Sequence, residues 1–176
     1  MIKSLIIFFT IASLNSSLVK AETELEVGMF KLGLKIESLY KWLNEPCRLM
    51  NFSEKASENK QGAQIKICTL RNDADLTIYG NKVKKAIFRF YDEELFHAAF
   101  DFKKSCKCFE EIAISLANRY GDSNHTSLNG DLIRYERAAT KINFHQLAGV
   151  QRLWWYNLPL LIEANSLIGS LNLVND

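Results

Sequence analysis

The sequence predicts an α+β fold in which two amphipathic helices pack on a mostly antiparallel sheet. Three observations lead there. Apolar residues recur at helical spacing in two separate windows, and short alternating runs bounded by turn residues follow each window. In addition, 48% of the 176 residues are hydrophobic, enough for one ordinary core.

The first segment reads as one to be removed. Lys3 supplies a basic start, residues 5–14 an apolar run, and Val19-Lys20-Ala21 side chains that a signal peptidase accepts. This predicts a secretory signal peptide over 1–21, cleavage before Glu22 and a periplasmic or secreted product. The apolar run falls short of the ~20 residues of an ordinary membrane-spanning helix, and no later segment qualifies, so no membrane span is expected after cleavage. Loss of Lys3 and Lys20 takes the 22 basic residues to 20, against 20 acidic, leaving the mature domain 22–176 with no net charge. That balance gives no case for nucleic acid or an anionic membrane as a partner.

Within the mature domain, Phe30, Leu32 and Leu34 alternate as a short strand would. Ile36, Leu39, Tyr40 and Leu43 then fall at helical spacing, and Pro46 stops that helix within a turn. The polar stretch 51–62 reads as a loop. Strands are predicted at 64–70, 76–79, 82–91 and 95–102, with Gly80-Asn81 and Asp92-Glu93-Glu94 as hairpin turns. The clearest helix has Phe109, Ile112, Ala113, Leu116, Ala117 and Tyr120 along one face. Glu110 and Glu111 suit the positive end of its dipole, and Gly121 is the expected left-handed terminator. After a polar loop over 122–130, further strand-like runs occupy 132–135, 141–145, 152–157, 160–164 and 170–174. A shift of 77 residues lays Ile36 on Ala113 and Leu39 on Leu116. One account of the plan is a tandem helix-plus-strands duplication over 28–102 and 105–176; the other is two unrelated helices in a single domain.

Four cysteines, Cys47, Cys68, Cys106 and Cys108, lie beyond the cleavage site, where an exported chain meets oxidants. Three pairings are open to them. Cys47 with Cys68 is favoured, because each sits at the edge of a predicted element and the bond would close the polar loop between them. Cys106-Lys107-Cys108 is left as a tight local bond, two free thiols or half of an intermolecular link.

Residues 33–46, Gly-Leu-Lys-Ile-Glu-Ser-Leu-Tyr-Lys-Trp-Leu-Asn-Glu-Pro, resemble the helix signature of small bacterial envelope proteins of the SmpA/OmlA (BamE) type. Gly33, Leu39, Leu43 and Pro46 keep its spacing, while Asn44 stands where a closing glycine would be. The helix-plus-strands plan is also similar to that of beta-lactamase-inhibitory-protein-like chains, and residues 109–121 echo the first segment faintly. The resemblance implies a non-catalytic protein-binding module of the bacterial envelope. A lipid-anchor cysteine, part of the SmpA/OmlA pattern, is missing after the apolar run.

No catalytic motif stands out. His97, His125 and His145 are scattered without metal-ligand spacing, and the glycines form no phosphate-cradling cluster, so neither a metal nor a cofactor is expected. Cys106 and Cys108 at a helix start, beside Lys103, Lys104 and Lys107, are the one place where reactivity is arguable. The expectation is therefore an exported binding or accessory protein acting through a protein or cell-wall surface. The alternatives are an envelope thiol-disulfide enzyme using Cys106 and Cys108, and an inhibitor of an envelope hydrolase. Arg152, Trp154, Trp155 and Tyr156 are the candidate binding residues. On a strand Trp154 and Tyr156 share one face and Trp155 takes the other. Either the whole run is core, or an exposed Trp155 beside Arg152 forms a binding hot spot.

Overall fold

The computed structural model describes residues 24–49, 64–102, 108–147 and 150–168. Its body is one antiparallel sheet of nine strands: β1 (Leu43–Leu49), β2 (Ile65–Leu70), β3 (Thr77–Ile78), β4 (Asn81–Tyr91), β5 (Glu94–Phe102), β6 (His125–Thr126), β7 (Leu132–Arg137), β8 (Thr140–Leu147) and β9 (Val150–Asn157). The spatial order is β1-β2-β4-β5-β9-β8-β7-β6, with β3 paired to β4. Two meanders thus meet along β5 and β9. Only two α-helices are present among the described residues, α1 (Cys108–Tyr120) and α2 (Leu158–Ile168).

This sheet-dominated fold corrects the expected α+β arrangement of two amphipathic helices on a sheet. The helix expected over 36–43 is a single 3-10 turn, Ile36–Leu39, and Leu43 already belongs to β1. Ile36 and Leu39 are three residues apart, a spacing that a turn of three residues satisfies as well as an α-helix does. Leu43 then pairs with Leu70 across the β1–β2 ladder, so strand pairing takes the residues that periodicity assigned to a helix. Asn44 is consequently a strand residue rather than a helix terminator.

A second correction concerns 160–164, expected as a strand and found inside α2. Asn157 Oδ1 accepts the backbone N–H of Leu160 at 3.3 Å, an N-cap, and Pro159 follows where a helix tolerates it. The run expected at 170–174 lies outside the described residues, as does the whole loop expected over 51–62. The first hairpin turn is Tyr79-Gly80, one residue earlier than expected, with φ of 47° and 79°. Positive φ at both positions makes a turn whose twist matches the strands it joins, and Gly80 adopts it without a Cβ penalty. Asp92 and Glu93 do the same between β4 and β5. Residues 29–34 form no strand; a Val27–Phe30 bridge stands there.

The covered face of the sheet carries Phe88, Phe100, Phe102, Ile142, Phe144, Leu153 and Trp155, all buried. α1 lies over it through Ile112 and Leu116, with Phe109 stacked on Phe144 at 4.7 Å. The rest of the cover is an irregular strap, residues 24–30, which inserts Leu25, Val27 and Phe30 at 0% exposure. Four side chains hold its backbone. The Leu25 N–H donates to Thr140 Oγ1 (2.7 Å), and the Leu25 carbonyl accepts Trp155 Nε1–H (2.8 Å). The Glu26 carbonyl accepts the hydroxyls of Tyr79 (3.0 Å) and Tyr120 (2.9 Å). Each buried strap group therefore has the partner it needs away from water.

Candidate functional site

The opposite face is only partly roofed. α2 covers one end, where Leu160, Leu161 and Ala164 pack on Ile65, Tyr91 and Phe96. The ladders align three rows of side chains across this face, the first passing partly under α2. One runs Arg48, Ile67, Arg89, His97, Tyr156, Lys141 and Glu136. The next runs Asn44, Thr69, Ile87, Ala99, Trp154, Asn143, Arg134 and His125, and the third Lys85, Asp101, Arg152, His145 and Leu132. Residues far apart in the chain become neighbours because side chains alternate and the strands keep register.

Of the candidate residues, the structure brings Arg152, Trp154 and Tyr156 together on this face and sends Trp155 to the other. Trp155 is 0% exposed, and its indole N–H is spent on the strap. It is core, so the idea of an exposed Trp155 hot spot is corrected: with Trp154 and Tyr156 on the half-open side, the alternation leaves Trp155 no direction but inward. Trp154 is half-buried, stacked against His145 at 6.1 Å with the Arg152 guanidinium 5.8 Å from its ring. Arg152 itself is clamped by Asp101, Nε to Oδ1 at 2.5 Å and Nη2 to Oδ2 at 2.9 Å. This bidentate pair raises the arginine's pKa, the hydrogen bonds to Asp101 contributing most.

Sequence reasoning missed the other half of the face. Asn44, Pro46, Arg48, Ile67, Thr69, Lys85 and Ile87 line a shallow hollow of about 410 Å³ between β1 and β4. No local pattern marks these residues, which only the strand order gathers. A second hollow, around Asn124, His125 and Arg134, also contains Arg137. That guanidinium donates to Asn124 Oδ1, the Glu136 carbonyl and the Tyr120 carbonyl, so it ties β7 to α1.

Under α2 the middle of the first row, Arg89 and His97, is buried. Arg89 Nη1 donates to His97 Nδ1 at 2.8 Å, so the imidazole is neutral, with its proton on Nε2. His97 Nε2 has no hydrogen-bond partner among the described residues. Burial above all, then the charges of Arg89 and Arg152, hold His97 well below the usual histidine range. Tyr156, whose ring lies 5.0 Å from that of His97, is pushed up to about 12 by burial, against a hydrogen bond from Asn143. The acceptor nitrogen of His97 is occupied by Arg89 and the ring is shut off from solvent.

Cys47 and Cys68 are bonded, with Cα atoms 4.6 Å apart across β1 and β2. Such a bond is the chemistry of an oxidising compartment. Cys108 is also disulfide-bonded and is 2% exposed, at the start of α1; Cys106 lies outside the described residues. A buried, bonded sulfur is poorly placed for exchange with a substrate thiolate. Among the described residues, no group of three or more His, Cys, Asp or Glu side chains is arranged to hold a metal ion, and no helix is long and apolar enough to cross a membrane. No family model, curated protein or solved structure matches the chain.

Proposed function

We propose that this is an exported, non-catalytic binding protein of the periplasm or extracellular space, acting on a protein or cell-wall surface through the open face of its sheet. The observation that supports the reading is the contrast between faces. The strap and α1 seal one side, while Trp154 stays half-buried on the other among Arg152, Arg134 and His145, side chains typical of interface centres. Arg152 and Trp154 are presented on a rigid strand, which lowers the ordering cost of association.

The test is photo-crosslinking in intact cells. A photoreactive amino acid replaces Thr69 or Asn143 on the open face, or Ile114, 61% exposed on α1, as control. Discrete adducts from the first two positions, lost when Trp154 is changed to alanine, are expected. Adducts from Ile114 alone would move the binding surface to the helical side.

A further inference from the structure

The geometry points to an acidic polypeptide as the partner of the open face, held by three separated cations, Arg48, Lys85 and Arg134, around an apolar centre of Ile67, Ile87 and Trp154. The inference rests on the open face being the binding surface. The three rows hold Arg48, Lys85, Arg134, Lys141 and Arg152 at or near the surface, and two carboxylates, Asp101 and Glu136. Five less two leaves an excess of three positive charges. The carboxylates are already used, Asp101 on Arg152 and Glu136 on Lys141 at 3.4 Å. Arg48, Lys85 and Arg134 have no ion pair among the described residues, and Arg134 has only its Nε engaged there, on Asn143 Oδ1 at 3.2 Å. The excess is local, since the chain carries only +2 in all, two of its cations being Lys3 and Lys20. A face more positive than the molecule as a whole steers a negatively charged partner towards it.

Spacing decides what kind of anion. β1 and β7 are six strand intervals apart, so Arg48 and Arg134 stand about 29 Å from one another at ~4.8 Å per interval. Lys85 lies between them, two rows from Arg48. Three charges so dispersed cannot converge on one phosphate or sulfate. Two rows deep where α2 covers Arg89 and His97 and three at the margins, the patch measures roughly 400–600 Å², the low end of one partner's share of a protein interface. Between the cations lie half-buried Ile67, Ile87 and Trp154, and the hollow beside β1. Apolar side chains flanked by carboxylates fill that pattern; a polyanion made only of phosphate or sulfated sugar leaves its centre unfilled.

The experiment selects displayed random peptides against the protein, free of its leader, and measures their affinities in solution. Peptides rich in Asp and Glu, interspersed with apolar residues, are expected. Their binding should be abolished by Trp154→Ala and fall about tenfold or more in the Arg48→Glu, Lys85→Glu, Arg134→Glu variant. Raising salt from about 0.05 to about 0.3 M should weaken it comparably, a reading that uses the unaltered protein and survives a variant that fails to fold. Neutral or basic peptides that need Trp154 but ignore salt and charge reversal would overturn the acidic partner and leave the open face standing. Peptides indifferent to Trp154→Ala, or none at all, would overturn both. Salt-sensitive binding to anionic phospholipid vesicles, or salt-sensitive self-association, that is lost in the charge-reversed protein and unaccompanied by acidic peptides would give the face to a membrane or a second copy and overturn the proposal.

Discussion

Trp154 and Trp155 leave the same strand in opposite directions, one towards a face roofed only at one end, the other beneath the strap and α1. Two large aromatics adjacent in the chain thus differ in everything that governs their cost of removal. The covered face concentrates aromatic contacts, such as Phe30 with Phe100 at 4.7 Å, and satisfies its polar groups internally. The open face spends part of its charge on cross-strand pairs and leaves a stacked tryptophan half in water. Stability resides in the first; the second is the surface proposed for recognition.

The largest effect that sharpens this contrast is Trp155→Ala, expected to lower unfolding free energy by about 3–5 kcal/mol through the emptied volume and the strap carbonyl left without its donor. Denaturant titration measures it, and a loss below 1 kcal/mol would mean that the strap does not seal the face. Replacing both Cys47 and Cys68 by alanine should cost roughly 3 kcal/mol for a crosslink spanning 21 residues. Reducing agent should lower the midpoint of the unaltered protein by more than that of the variant, which keeps the bond at Cys108.

The buried edge of the open face is tested by pH. His97 is held well below its ordinary value of 6.5 in the folded chain, so below pH 6.5 the unfolded chain takes up a proton that the folded one refuses. The contribution is complete above that pH and is lost as pH falls, by up to about 1.4 kcal/mol per unit until the folded value is reached. In His97→Gln the slope that this histidine adds to the stability curve should vanish; an unchanged slope would show that the imidazole is not buried neutral. The smallest effect is Trp154→Ala, expected to shift stability by less than 1 kcal/mol. A loss as large as that of Trp155→Ala would erase the difference between the faces.

The strands of the sheet's middle were legible because β9 alternates and β4 and β5 are apolar runs set off by turn residues, and α1 because its apolar face repeats over three turns and ends at Gly121 with φ 78°. The 3-10 turn and α2 were not, since a short apolar run satisfies more than one period, and which period prevails depends on the strand or face it meets. The favoured Cys47–Cys68 pairing is present in the structure. The division of Trp154 and Tyr156 from Trp155 followed from alternation alone. Which side was inward did not, because it depends on the strap: Leu25 and Trp155 are 130 positions apart, a separation no local pattern spans. Ile67, Ile87 and Arg134 were invisible as a group for the same reason.

The strap also constrains the order in which the molecule can be completed. Its residues are synthesised early, yet Thr140, which receives the Leu25 N–H, and Trp155, which donates to the Leu25 carbonyl, are separated from it by 115 and 130 positions. Until β8 and β9 have been made and paired, Leu25 and Val27 have no complete seat, and these apolar side chains remain available to any other greasy surface. Closing so long a loop is slow beside hairpin formation, because chain entropy must be given up before the contact rewards it. A segment made before the strands that seat it is therefore expected to be among the last to find its place.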